Sequence, residues 1–138
     1  MTRVRVKICG VTNVEDALAA AEAGADALGF NFVPTSPRCV SPETAARIGE
    51  ALPPFITRVG VFADTARERI ALVARDAGLH AVQLHGDEQL ADCLGWRLPV
   101  IKALRIRDAA SLDRASHYPG VAALLLDGQS PGSGRAFD

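Results

Sequence analysis

The feature that most constrains this chain is a repeated change of hydrophobic period. Short runs rich in Val, Ile and Leu occupy residues 4–9, 27–32, 56–62, 81–85, 100–104 and 121–127. Several are apolar on successive residues, as strands covered on both faces must be. Between them the period lengthens to that of a helix. Val14, Ala17, Leu18 and Ala21 fall at i, i+3, i+4 and i+7, and Ile70, Val73, Ala74 and Ala77 repeat that spacing. Ala45, Ile48 and Leu52 form a thinner stripe, and shorter helices are predicted around residues 88–94 and 108–117. Start signals precede the helices: Thr12 or Asn13, then Ser41-Pro42-Glu43, then Asp64 or Thr65. Gly24 and Gly78 sit where a C-terminal glycine ends the first and third.

Crossovers of this length require a parallel sheet with right-handed connections. Two α/β architectures satisfy the pattern: an open doubly wound sheet, and a (βα)8 barrel, which typically takes about 250 residues and at the short end about 200. The first strand–helix turn, Gly10-Val11-Thr12-Asn13, lacks GxGxxG, so nothing local supports a dinucleotide fold. With 138 residues the chain is expected to form a single domain over 1–138.

Charge narrows the function classes. Fifteen basic and 16 acidic side chains leave a net charge of −1, which offers no basic face to nucleic acid and no polybasic patch to a membrane. No apolar run approaches the roughly 20 residues of a membrane span. The three cysteines form no CxxC pair, which predicts free thiols in a reducing compartment, the cytosol. Three histidines and three cysteines are too scattered to suggest a metal centre.

In a parallel α/β fold, chemistry gathers where strands end and helices begin. Those ends carry Lys7-Ile8-Cys9-Gly10, then Pro34-Thr35-Ser36-Pro37-Arg38, then Gln83-Leu84-His85-Gly86-Asp87, with Lys102 on the fifth strand and Asp127 closing the sixth. Reactive side chains thus collect at one rim of an apolar sheet.

Lys7-Ile8-Cys9-Gly10-Val11-Thr12 resembles the opening signature of the phosphoribosylanthranilate isomerase family, (βα)8 barrels of tryptophan biosynthesis. So do Gly24-Ala25-Asp26 with Gly29-Phe30, Ser36-Pro37-Arg38, Val59-Gly60-Val61-Phe62, Val82-Gln83-Leu84-His85-Gly86, Val100-Ile101-Lys102-Ala103 and Leu125-Leu126-Asp127, all in the family's order. Gly132-Ser133-Gly134-Arg135-Ala136-Phe137-Asp138 resembles the glycine-rich loop after strand six. The chain departs from the pattern at Cys39, where an aromatic is usual, and at Arg135, where lysine is common. It ends at Asp138, so the resemblance covers about six of the eight βα units, an incomplete barrel.

The resemblance implies an Amadori rearrangement of N-(5'-phosphoribosyl)anthranilate, without cofactor or metal. An acid protonates the ribose ring oxygen and opens the ring to an imine. A base then removes the C2 proton, giving an enolamine that tautomerises to the ketone. By the same resemblance Cys9 is the base and Asp127 the acid, while Arg38 holds the anthranilate carboxylate, for which a guanidinium fork is suited. Lys7, Gln83 and His85 line the substrate mouth, and Gly132 and Gly134 offer backbone N–H groups to the phosphate. Chemistry sets conditions on the pair. A thiol of pKa about 8.5 needs a positive neighbour such as Lys7 to act as a base near pH 7. The acid needs an apolar or negative setting to keep its proton.

Blander readings exist for each residue. Cys9 alone suits a small buried apolar site, Asp127 a cap, Arg38 a solvated loop, and His85 a scaffold hydrogen bond. Lys102 either tunes the mouth or pairs with a carboxylate. Cys39 and Cys93 read as incidental, His80 and His117 as surface residues, and Asp26 as a turn and packing feature. At the level of function the alternatives are another phosphosugar barrel and a non-catalytic half-barrel binding or assembly module. Six strands do not close an eight-stranded barrel, so the 138-residue chain is expected to turn over little substrate and to self-associate through its open edges.

Overall fold

The computed structural model describes residues 3–128. Strands and helices alternate as β1 (Lys7–Cys9), α1 (Val14–Glu22), β2 (Ala27–Asn31), α2 (Pro42–Ala51), β3 (Thr57–Phe62), α3 (Arg67–Asp76), β4 (Ala81–Leu84), α4 (Leu90–Cys93), β5 (Val100–Arg105), α5 (Ala109–Asp113) and β6 (Ala123–Asp127). A 3-10 turn, Arg114–His117, continues α5. The expected fifth helix is therefore split, and the fourth is reduced to a single turn.

The six strands form one sheet in sequential order, β1-β2-β3-β4-β5-β6, and every pairing is parallel. That order is the incomplete (βα)8 barrel the resemblance implied, and it excludes the doubly wound sheet that periodicity alone left open. A doubly wound sheet reverses its strand order at a switch point, whereas a barrel adds each strand beside the last.

Local chemistry sets the helix ends. The Asn13 side chain accepts the N–H of Asp16 and begins α1, and Ser41 accepts the N–H of Thr44 and begins α2 with Pro42 behind it. Gly24 and Gly78 follow the C-caps of α1 and α3 with φ of 95° and 61°, a conformation that favours glycine. The start of α3 departs from expectation. Its N-cap is Ala66, without a side-chain cap. Asp64 instead takes a left-handed φ of 47° and turns its carboxylate to the N–H of Asp87.

The first strand is also shorter than expected. Val6 lies outside it because its N–H is accepted by the Asp26 carboxylate and its carbonyl accepts the N–H of Asp26. Asp26 is therefore the turn residue its sequence context suggested. The core lies between the sheet and the helices. Leu28, Phe30, Phe62, Val82 and Leu84 project there and meet Ala17, Ala45, Ile48, Ile70 and Val73, all buried. Truncating one of the larger of these to alanine would cost about 2–5 kcal/mol. Alternate strand residues face the opposite way, into the concave side of the sheet. Among the described residues no helix is long and apolar enough to cross a membrane.

Candidate active site

The concave face opens at the C-terminal strand ends into a cavity of about 690 Å³. Lys7 and Cys9 of β1, Arg38 of the loop after β2, Gln83 and His85 of β4 and its turn, and Asp127 of β6 all line it. Every expected site residue within the described region thus meets in one opening. Gly132 and Gly134 lie outside the described residues.

Cys9 and Lys7 stand over Gly29 of the neighbouring strand. A Cβ at Gly29 would lie 2.8 Å from Cys9 Sγ and 3.2 Å from Lys7 Nζ. Glycine there makes room for both, and the ammonium shares the thiol's small space. The register that brings this about pairs Cys9 with Gly29 directly. Cys9, on the edge strand β1, is exposed.

Arg38 reaches back over the start of the first loop. Its Nη1 donates to the Cys9 carbonyl at 3.1 Å, and its side chain lies on Gly10, where a Cβ would stand 2.7 Å from Nη1. The backbone N–H of Arg38 is held by Ser36 Oγ at 3.2 Å, which shapes the Ser36-Pro37-Arg38 turn. One guanidinium nitrogen is thus anchored while the group still lines the cavity.

The opposite wall is built from β4 and β6. His85 Nε2 stands 3.3 Å from Asp127 Oδ2, an electrostatic contact that falls short of hydrogen-bond alignment. The amide nitrogen of Gln83 lies 3.3 Å from His85 Nδ1, so Nε2 is the ring nitrogen that faces the carboxylate. Burial holds the His85 pKa below its ordinary value. Asp127 opposes that shift, while Arg105 and Lys102 reinforce it. Asp127 Oδ1 accepts the N–H of Gly128 at 2.8 Å. Gln83 is buried, and its Oε1 is an acceptor without a partner among the described residues, at the wall of the cavity.

Two residues need separate comment. Lys102 does not enter the mouth. It alternates out of phase with Arg105 on β5, projects behind the sheet and pairs with Glu88. Arg105, which sequence reasoning passed over, faces the cavity and sits in register with Asp127. The available signal was its parity with Lys7, Gln83 and Asp127 along pleated strands.

The geometry agrees with the comparisons. The family model described as N-(5'phosphoribosyl)anthranilate (PRA) isomerase matches residues 6–138. The chain belongs to the phosphoribosylanthranilate isomerase family. It is 49% identical over 143 residues to N-(5'-phosphoribosyl)anthranilate isomerase of Pseudomonas putida, covering 100% of this chain and 69% of that protein. The crystal structure of phosphoribosyl anthranilate isomerase from Thermotoga maritima superposes with a TM-score of 0.91 at 47% identity, covering 98% of this chain and 66% of that one. A family structure in complex with reduced 1-(o-carboxyphenylamino)-1-deoxyribulose 5-phosphate gives a TM-score of 0.88 at 49% identity, over 91% of this chain and 66% of that one. The chain thus spans about two thirds of the length of these phosphoribosylanthranilate isomerases.

Proposed function

We propose that the chain carries the acid–base machinery of a phosphoribosylanthranilate isomerase, converting N-(5'-phosphoribosyl)anthranilate to 1-(2-carboxyphenylamino)-1-deoxyribulose 5-phosphate. The observation that carries this reading is that Cys9 and Asp127, from the two outermost described strands, line one cavity of about 690 Å³ with Arg38.

The reaction needs a proton donor and a proton acceptor reaching one furanose. Asp127 delivers a proton to the ring oxygen as the bond to C1 breaks. The lone pair of the anilino nitrogen forms the C1=N bond, giving the iminium (protonated imine). Cys9, as thiolate beside the Lys7 ammonium, takes the C2 proton, and the resulting enolamine tautomerises to the ketone. Arg38 binds the anthranilate carboxylate, for which a guanidinium is suited; its Nη1 is anchored on the Cys9 carbonyl and the residue lines the cavity. Gln83 Oε1, the unpartnered acceptor, receives a hydroxyl or N–H of the substrate. The three cysteines are free, which fits a reducing compartment, the cytosol.

The test is conversion of phosphoribosylanthranilate by this chain continued with the last third of the Pseudomonas putida relative. Turnover supports the reading. A folded hybrid that binds the reduced product but forms none from substrate favours the binding module.

A further inference from the structure

Lys102 and Glu88 form an ion pair behind the sheet that the acid–base chemistry does not use. Both are buried, 1% and 7% exposed, with Lys102 Nζ 2.7 Å from Glu88 Oε2. Such a pair is a poor source of stability, because desolvating two charges offsets most of their attraction. What distinguishes it is where the remaining hydrogen bonds go. The ammonium also donates to the carbonyl of Gly86 at 2.8 Å and to that of Leu84 at 3.4 Å. The carboxylate accepts the N–H of Gly86 on Oε2 and that of Asp64 on Oε1, both at 2.9 Å.

Gly86 is therefore gripped at its N–H by the anion and at its carbonyl by the cation. Asp64 closes the arrangement by accepting the N–H of Asp87 at 2.7 Å. Tyr118 completes it, donating its hydroxyl proton to the Glu88 carbonyl at 2.9 Å.

Gly86 directly follows His85, the residue that faces Asp127. Among the described residues the imidazole ring meets the Gln83 amide nitrogen and the Asp127 carboxylate, and the His85 backbone N–H donates to the Phe62 carbonyl at 2.8 Å. The ring's place over the carboxylate is set by the path of the backbone at residues 85–86. We propose that Lys102 and Glu88 are positioning residues that fix the turn after β4 and so hold His85 against Asp127. This rests on the reading of the His85–Asp127 wall as part of the reaction site.

The test is a double substitution, Lys102→Met with Glu88→Leu, which removes both charges with little change of volume, an exchange that buried ion pairs often tolerate. The readout is the pKa of His85, followed by NMR with and without Asp127→Asn. The charged groups around the ring are Asp127, Arg105 and Lys102, and the difference made by Asp127→Asn isolates the first. In the parent chain that substitution is expected to lower the His85 pKa, because it removes the charge that opposes the effect of burial. With the pair removed and the melting temperature little changed, the effect is expected to fall to less than half. An equal effect in both backgrounds overturns the proposal.

Hydrogen exchange in the unaltered chain decides the matter should the double variant not fold. The Gly86 and Asp64 amides are expected to exchange as slowly as the β3 and β4 core. Exchange at the rate of an exposed loop overturns the proposal. Neither readout requires turnover, so failure here and failure of the isomerase reading are separate results.

Discussion

His85 Nε2 lies 3.3 Å from Asp127 Oδ2, so the imidazole after β4 meets the carboxylate ending β6 across the intervening β5. Two strands that are not neighbours in the sheet are joined at the rim by this contact. The concave face permits it, because pleat alternation aims both side chains to the same side. Gln83 meets the other ring nitrogen, Nδ1, and leaves Nε2 facing the carboxylate.

This contact makes a prediction about pH. Burial lowers the His85 pKa below 6.5, and burial with the Arg58 charge does the same to His80. Below pH 6.5 the unfolded chain therefore binds more protons at these sites than the folded one. The stability they confer is complete above 6.5 and is lost as pH falls through that value toward the folded pKa values. Thermal midpoints should drop between pH 7.5 and 5.5, and His85→Asn should reduce the drop. A midpoint equal at both pH values contradicts this.

Arg38 should govern affinity for the carboxylate end of the ligand. Arg38→Ala should weaken binding of the reduced product by roughly 10- to 100-fold, the worth of a charge-assisted hydrogen bond. Arg38→Lys should recover only part, since an ammonium lacks the fork. Titration calorimetry measures both, and an unchanged Kd for Arg38→Ala removes the residue from the site.

Gly10→Ala tests the support beneath Arg38. The new methyl would sit 2.7 Å from Arg38 Nη1, on a backbone whose φ is 83°. Left-handed strain alone costs about 1 kcal/mol, and the guanidinium must also move. Denaturant unfolding should show the stability loss, and ligand affinity should fall in the same variant. Wild-type stability would refute the packing described for Gly10.

Gly86→Ala probes the knot between the turns after β3 and β4. A Cβ there lies 2.5 Å from the Asp64 carboxyl and 2.7 Å from its backbone nitrogen. Backbone does not yield like the end of a flexible side chain, so a loss of about 1–3 kcal/mol is expected. An unfolding midpoint equal to the parent's would show that the turns are not laced together.

Much of this was legible in the sequence because it follows from period and position. The alternation of apolar runs and helical stripes placed all six strands, and strand-end position picked out Lys7, Cys9, Arg38, Gln83, His85 and Asp127. The choice of a barrel over a doubly wound sheet came from the resemblance of the motifs, because periodicity alone does not carry it. It depends on which strands pair, which is a property of the whole chain. Lys102 shows a second limit. Its strand was correct, but its face was undetermined until the register fixed β5 against β4 and β6. Glu88 left no local signal, since its role comes from a lysine 14 residues away and two turn amides. Asp64 read as a helix cap because carboxylates usually serve there. The second turn, at Asp87, claimed it instead.

The most direct measurement is the kcat and KM of Cys9→Ser and Asp127→Asn in the hybrid barrel, beside the affinity of each for the reduced product. Loss of general acid–base help should lower kcat by about 10²- to 10⁴-fold in each variant, while KM and ligand affinity change little. Wild-type kcat in either variant would contradict the assignment of that residue as base or acid.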